Sequence, residues 1–397
     1  MKHLLLALAS MVAALTGAAP HAHAQCPLPN APAHAAFCFA PGTAPEIVEA
    51  FNAVMFPELP EFQLAPRWSV TASNPNTGGQ GSPITLTYSF VPDGTLIAAT
   101  GFSAGGPSDL QAFLTGIYGS PATWQQIYHE MFAAWGNLCG VTYVFEPNDD
   151  GTSLPNSPGL LGVRGDLRMA GKFIDGHLNV LAYNYYPNAG DMVIDTADSF
   201  YSNTTSASRR LRNVLSHEVG HGIGHAHVCP ANQTKLMEPF ISSLYLGPQF
   251  DDILGAQRQY GDSDEPNDTP ATATSITGAT SSPQTRRTLS IDGSADTDFY
   301  SFVVSGPSVL AVTARPAGTP YLDGPQTPAC DAGANFDPRT VNDLILSVIA
   351  SNGATVLATA NGNPAGGTES LSVNLAAPGS YYVRVSGGSA DGIQAYE

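Results

Sequence analysis

This chain is poor in charge, and above all in positive charge. Only 12% of its 397 residues are charged, with 15 Lys and Arg against 33 Asp and Glu, for a formal net charge of -18. Phosphate backbones are held by Lys and Arg, so the composition argues against a nucleic-acid partner. Long apolar runs are lacking too. The one candidate, Leu4 to about Leu15, is too short to span a bilayer comfortably, and no later segment qualifies as a membrane span. Cysteine is scarce: Cys26, Cys38, Cys139, Cys229 and Cys330, an odd number that leaves one over in an oxidising compartment. Cys26 with Cys38 would close a local loop, and Cys139 with Cys229 would tie a helix end to a later loop.

What is present points outward. Lys2 and His3 precede the apolar run, and Ala22-His23-Ala24 supplies a cleavage site before Gln25, so residues 1–24 read as a signal peptide. The residues before Cys26 are not the small apolar set that lipoprotein processing needs. Export and release, or periplasmic residence, are both compatible with this start. The 40 Gly and 32 Pro suit loop-rich and strand-rich extracellular domains. The acidic balance fits a soluble exported protein and also suits calcium.

The central motif is His217-Glu218-Val219-Gly220-His221-Gly222-Ile223-Gly224-His225-Ala226-His227. On a helix, residues four apart share a face, so His217 and His221 can put two imidazoles on one zinc ion. Glu218 is offset by one residue and can serve as general base without occupying the metal. Gly224 lets the chain leave the helix, and the turn returns His227 as a third ligand. Three protein ligands leave zinc an open position, the catalytic arrangement. His225 lies off this pattern and is expected outside the ligand set.

Residues 25–65 are rich in Pro and Ala without a clear period, an N-terminal extension or short propeptide. Ile84, Leu86, Tyr88 and Phe90 alternate with polar residues and predict a strand. A short helix is expected from Ser108 to Ile117. Ser120-Pro121 starts a helix whose stripe of Trp124, Ile127, Tyr128, Met131 and Trp135 predicts core. Further strands are expected at Val141–Phe145, Leu167–Met169, Leu178–Tyr183 and Met192–Ile194, and helices at Arg209–Ile223 and Phe250–Tyr260. From Asp262 onward helical periods disappear. Strands follow at 299–304, 309–312, 344–349, 356–358, 371–375 and 381–385, with a hairpin signal at Asn352-Gly353, which predicts a separate β-sandwich-like domain.

Taken together, residues 66–262 resemble the catalytic domain of the matrixins, the matrix-metalloproteinase branch of the metzincins. The resemblance rests on the zinc string, Arg67-Trp68 with Leu86–Phe90, Met131–Trp135, Asp175-Gly176 with Val180–Tyr183 and Pro187, Gly190–Asp195, Met237, and Asp251–Gly261. It implies an α+β fold, a zincin-like twisted mixed sheet with three main helices, followed by the all-β C-terminal domain. It further implies one catalytic zinc on His217, His221 and His227, Glu218 as general base and acid, and Met237 as the Met-turn residue. Leu181 and Ala182 become the edge strand that pairs with an extended polypeptide substrate, and Asp175, Asp195 and Asp198 a structural calcium site. Tyr183 and Val193 stand where the animal enzymes have histidines for a second zinc, so that ion is not expected. Glu238 follows the Met where the family often has Tyr, which implies a changed pocket polarity. Latency through Cys26 or Cys38 is not expected, because the residues that flank such a cysteine in the animal enzymes are missing.

Residues 263–397 resemble the bacterial pre-peptidase C-terminal domain, through Asp264–Thr269, Asp296–Phe302 and Gly379–Val385. That likeness implies an extracellular polymer as a partner. The chain stops about where the resemblance would start a last strand, so an incomplete domain is expected. The resulting expectation is a secreted zinc endopeptidase, with a catalytically silent secreted polymer-binding or adhesion protein as the alternative.

Overall fold

The structure is a computed structural model that describes residues 35–48, 51, 64–278, 282–325, 329–390 and 392–397. The signal peptide expected over residues 1–24, the Cys26 pairing and much of 25–65 lie outside the described residues.

The first half is built on a sheet of six strands. They are β1 (Ala35–Phe39), β2 (Ile84–Phe90), β5 (Val141–Phe145), β6 (Leu167–Lys172), β7 (Val180–Tyr185) and β8 (Met192–Asp195), in the order β1-β7-β8-β6-β2-β5. A small ladder of β3 (Leu96–Ile97) and β4 (Gly106–Pro107) lies apart. Neighbours are parallel from β8 through β6 and β2 to β5, whereas β7 runs antiparallel to β8 and β1 antiparallel to β7. The strands β6, β7 and β8 are buried along their whole length. Val180–Tyr185 is covered on both faces, which is why it shows no polar alternation.

Among the described residues, the main helices follow from local signals. They are α1 (Leu110–Tyr118), α2 (Pro121–Gly136), α3 (Thr205–Gly222) and α4 (Phe250–Tyr260). Ser120 caps α2, accepting the Thr123 N–H, with Pro121 in the first turn. The expected stripe of α2, joined by Phe132, is buried. Full burial of such a side chain stabilises by about 1.5–3 kcal/mol relative to exposure, an upper bound because unfolded chains are already compact. Residues 206–208 of α3 are left-handed, so the regular helix begins at Arg209, where the hydrophobic period starts.

The C-terminal domain holds β9 (Thr274–Ser275), β10 (Leu289–Ile291), β11 (Asp298–Val304), β12 (Ser308–Ala314), β13 (Tyr321–Asp323), β14 (Ala334–Phe336), β15 (Ile345–Ile349), β16 (Val356–Ala360), β17 (Glu369–Leu375), β18 (Gly379–Ser386) and β19 (Gln394–Tyr396). The sheet β16-β15-β18-β11-β9 and the pair β12-β17 enclose a core that includes Tyr300, Phe302, Leu346, Val348, Val383 and Leu375. The β15–β16 turn carries Gly353 at φ 70°, the left-handed conformation that made Asn352-Gly353 a hairpin signal. Residues Gln394–Tyr396 pair antiparallel with β10.

Among the described residues, the expected Cys139–Cys229 disulfide is replaced by a different one. Cys229 pairs with Cys330, while Cys38 and Cys139 are free and buried. The Cys139–Cys229 expectation fails because Cys139 sits at the end of α2 with its thiol on Trp135 O, whereas Cys229 faces the C-terminal domain. The bond closes a loop with a sequence separation of 101. Chain entropy gives about 4–5 kcal/mol for a loop of that size.

Candidate metal centre

Helix α3 delivers His217 and His221, and the turn after it delivers His227. One nitrogen from each lies within 4.8 Å of the others, and all three residues are buried. His217 Nδ1 donates to Leu236 O at 2.8 Å and His221 Nδ1 to His225 O at 2.6 Å. These bonds fix the tautomer and leave the Nε2 lone pairs facing the centre. His217 Nε2 and His221 Nε2 have no hydrogen-bond partner. Burial lowers His217 to about 4, and burial with the neighbouring imidazoles holds His221 well below the usual histidine range. Neutral imidazoles with buried, unpartnered nitrogens at this separation fit zinc.

The surroundings explain why the motif needs its glycines. A Cβ at Gly220 would lie 2.4 Å from Met237 Sδ, so the missing side chain lets the Met237 thioether pack directly against α3. Gly224 has φ 98°, and a Cβ there would lie 2.7 Å from Gln259 Nε2. The carbonyls left open at the end of α3 are satisfied by Trp68 Nε1 on Gly222 O at 2.7 Å and Tyr260 Oη on Ile223 O at 2.9 Å. Asp252 of α4 accepts the Leu236 and Met237 N–H groups and so fixes the turn beneath the histidines. His225 lies apart from the three converging nitrogens: its ring nitrogen donates to Asp252 O at 3.0 Å.

Glu218 is wholly buried, and burial raises its carboxyl well above the usual range. Beside it lies Cys38, which sequence reasoning left out of the site. Cys38 Sγ, a Glu218 oxygen and a His217 nitrogen lie within 4.8 Å of one another. The reason is β1. It pairs with the edge strand in register, Cys38 opposite Ala182 and Phe37 opposite Tyr183, and Phe39 bonds on its other side to Pro239 O and Ile241 N. The segment AAFCF was unreadable because it is short and its period is masked by alanines. Its alternation is still there: Cys38 faces the core against α3, while Phe37 and Phe39 pack on Phe51. The missing flanking residues therefore did not keep a cysteine out of the cleft.

One further expectation resolves differently. The Glu238 carboxylate accepts the Gln233, Thr234 and Lys235 N–H groups. It folds back into its own turn, so it does not set pocket polarity as expected. Asp175, Asp195 and Asp198 share one loop region, where Asp195 accepts the Asp175, Gly176 and Ala197 N–H groups and Asp198 those of Leu178 and Phe200.

Comparison with known proteins now bears on this geometry. Residues 161–261, which contain the three histidines, Met237 and α4, match the family model described as Matrixin. Residues 296–387 match the one described as Bacterial pre-peptidase C-terminal domain. The chain carries a matrixin domain and a bacterial pre-peptidase C-terminal domain. It is 28% identical over 151 residues to Metalloendoproteinase 4-MMP of Arabidopsis thaliana, covering 36% of this chain and 42% of that relative. It is 35% identical over 101 residues to a Putative matrix metalloproteinase of Trichoplusia ni ascovirus 2c, covering 22% and 19%. Matrix metalloproteinase-19 of Homo sapiens is 35% identical over 89 residues, covering 22% and 17%. The chain thus spans less than half the length of each of these relatives. The matrixin family is one of metalloproteinases and implies a catalytic zinc, which the histidine cluster of this matrixin domain fits.

Proposed function

We propose that the chain is an exported zinc-dependent endopeptidase acting on extended polypeptides. The observation that carries this reading is the convergence of the His217, His221 and His227 nitrogens beside buried Glu218. The three imidazoles would hold the ion, which when bound supplies Lewis acidity to a water molecule and the scissile carbonyl. Glu218 takes the proton as the water oxygen forms its bond to the carbonyl carbon. It passes that proton to the amine as the C–N bond breaks. Leu181 and Ala182 offer the backbone edge on which an extended substrate pairs. The test is digestion of a peptide library by the purified protein. Chelation ends cleavage and added zinc restores it; hydrolysis insensitive to chelation would assign another class.

The same reading includes latency. Strand β1 already holds the edge of β7, and the Cys38 thiol lies where it could fill zinc's open position. Full activity then requires β1 to leave the edge of β7. Export rests on the leader sequence at residues 1–24. Structural calcium at Asp175, Asp195 and Asp198 is supported by the raised Asp175 carboxyl, about 6, which follows from burial and from the charges of Asp195 and Asp198. An extracellular polymer as partner of the C-terminal domain is supported by exposed aliphatic side chains, among them Val303 and Val309.

A further inference from the structure

The chain between the third histidine and the turn beneath the metal centre closes on itself, because Val228 N–H donates to Met237 O at 2.9 Å. One end of this loop carries His227. The other carries Leu236, whose carbonyl accepts His217 Nδ1 at 2.8 Å. Two of the three imidazoles therefore take their places from the ends of one loop. Residues 230–235 between those ends form neither helix nor strand. Such a stretch holds one shape only if side chains or a neighbouring segment satisfy its backbone.

Part of that support comes from the C-terminal domain, through the β13–β14 pair. Cys229 is bonded to Cys330, and Ala231 N–H donates to Cys330 O at 2.7 Å. Gly333 lies against Pro230, where a Cβ would come within 2.8 Å of the ring. The Tyr321 hydroxyl faces the Asp251 carboxyl, next to the Asp252 carboxylate that holds the Leu236 and Met237 N–H groups. Lys235 is the most telling contact. It is only 1% exposed, and its Nζ donates to Pro230 O at 3.1 Å, Asn232 Oδ1 at 3.4 Å and Leu322 O at 3.2 Å. An ammonium has three donors, and a buried one is costly unless all are matched. Two acceptors belong to the loop and the third to β13, so the ammonium is satisfied only when the C-terminal domain is in place.

We propose that the β13–β14 pair is a working part of the metal centre, and that Lys235 is the positioning residue through which it acts. Lys235 ties the two arms of the loop to each other and to Leu322 O. It is bonded directly to Leu236, and its own carbonyl accepts the Tyr245 hydroxyl. Held in this way, the loop presents His227 and the carbonyl that orients His217 together. Partners of metal-binding imidazoles set how well the ion is held, and a loop that supplies both a ligand and such a partner does so twice. Given the zinc endopeptidase reading above, on which this rests, the C-terminal domain sets metal affinity and turnover and cannot be shed without loss of both.

The test uses the full chain with Cys38→Ala as the parent, so that cleavage can be read. Lys235→Met keeps the length of the side chain and removes its donors. A second variant, Cys229→Ser with Cys330→Ser, loosens β14 from the loop. Val348→Ala, in the core of the C-terminal domain, is the control for lost stability alone. Zinc affinity is measured by competition with a chromogenic chelator, kcat and KM with one peptide, and folding by circular dichroism. Lys235→Met is expected to weaken zinc binding by about tenfold or more and to lower kcat, with KM near that of the parent. The double serine variant is expected to shift both in the same direction, and it decides by the same criteria if Lys235→Met does not fold. Val348→Ala is expected to lower the melting temperature while zinc affinity and kcat stay at the parent's values. Zinc affinity and kcat in folded Lys235→Met equal to those of a parent that binds zinc and cleaves would overturn the proposal alone. So would an equal loss of zinc affinity in Val348→Ala. A parent that takes up no zinc would overturn the endopeptidase reading, and the proposal with it.

Discussion

The histidine cluster and the carboxylate cluster of Glu265, Asp296 and Asp298 each bring three donors within 4.8 Å, yet they differ in burial, in charge and in how the chain assembles them. The imidazoles are neutral, so their burial costs little, and the Nδ1 atoms of His217 and His221 are held by backbone carbonyls. The carboxylates are held above the usual range by burial and by mutual repulsion, and sit where a second domain packs. A neutral site can persist without its ion. A charged one destabilises its surroundings until a cation or protons arrive. The first arrangement suits an ion that does chemistry.

Selective zinc removal is the strongest way to break this comparison. A zinc-selective chelator, or His221→Ala, is expected to reduce peptide cleavage to background while the fold, read by circular dichroism, persists. Loss of the fold together with cleavage would show that the neutral site does not persist without its ion.

The remaining predictions address what surrounds the histidine site. Cys330→Ser opens the link between the loop after His227 and the C-terminal domain, and is expected to cost about 2–5 kcal/mol, read from the denaturant midpoint. An unchanged midpoint would mean that the domains hold together without the bond. Gly220→Ala places a Cβ 2.4 Å from Met237 Sδ and is expected to cost about 1–3 kcal/mol. Cys38→Ala is expected to raise cleavage by the full chain several-fold. Cleavage equal to that of the unaltered chain would show that the thiol does not hold the centre closed.

The two clusters also differ in how legible they were. The histidine site is local: eleven consecutive residues carry helix spacing, the glycine exit and the third ligand. The helices and most strands were legible as well, because Ser120-Pro121, the α2 stripe and Asn352-Gly353 are local signals with local causes. The carboxylate cluster joins Glu265 to Asp298 across a cis Glu265-Pro266 bond and a strand start, and nothing in their spacing marks their meeting. Cys38 and the Cys229–Cys330 bond were missed for the same reason. Both depend on which distant segments the fold lays side by side, β1 on β7 and residue 229 against residue 330, and no period within either segment encodes that choice.

The central claim is that Glu218 moves the proton and the three histidines hold the ion. It is tested most directly in two chains prepared side by side, Cys38→Ala and the double variant Cys38→Ala with Glu218→Ala, each assayed for zinc per chain and for peptide cleavage. Both are expected to hold one zinc, with cleavage in the double variant lower by a factor of about 10²–10⁴. Equal cleavage by the two chains, or loss of zinc from the double variant alone, would contradict it.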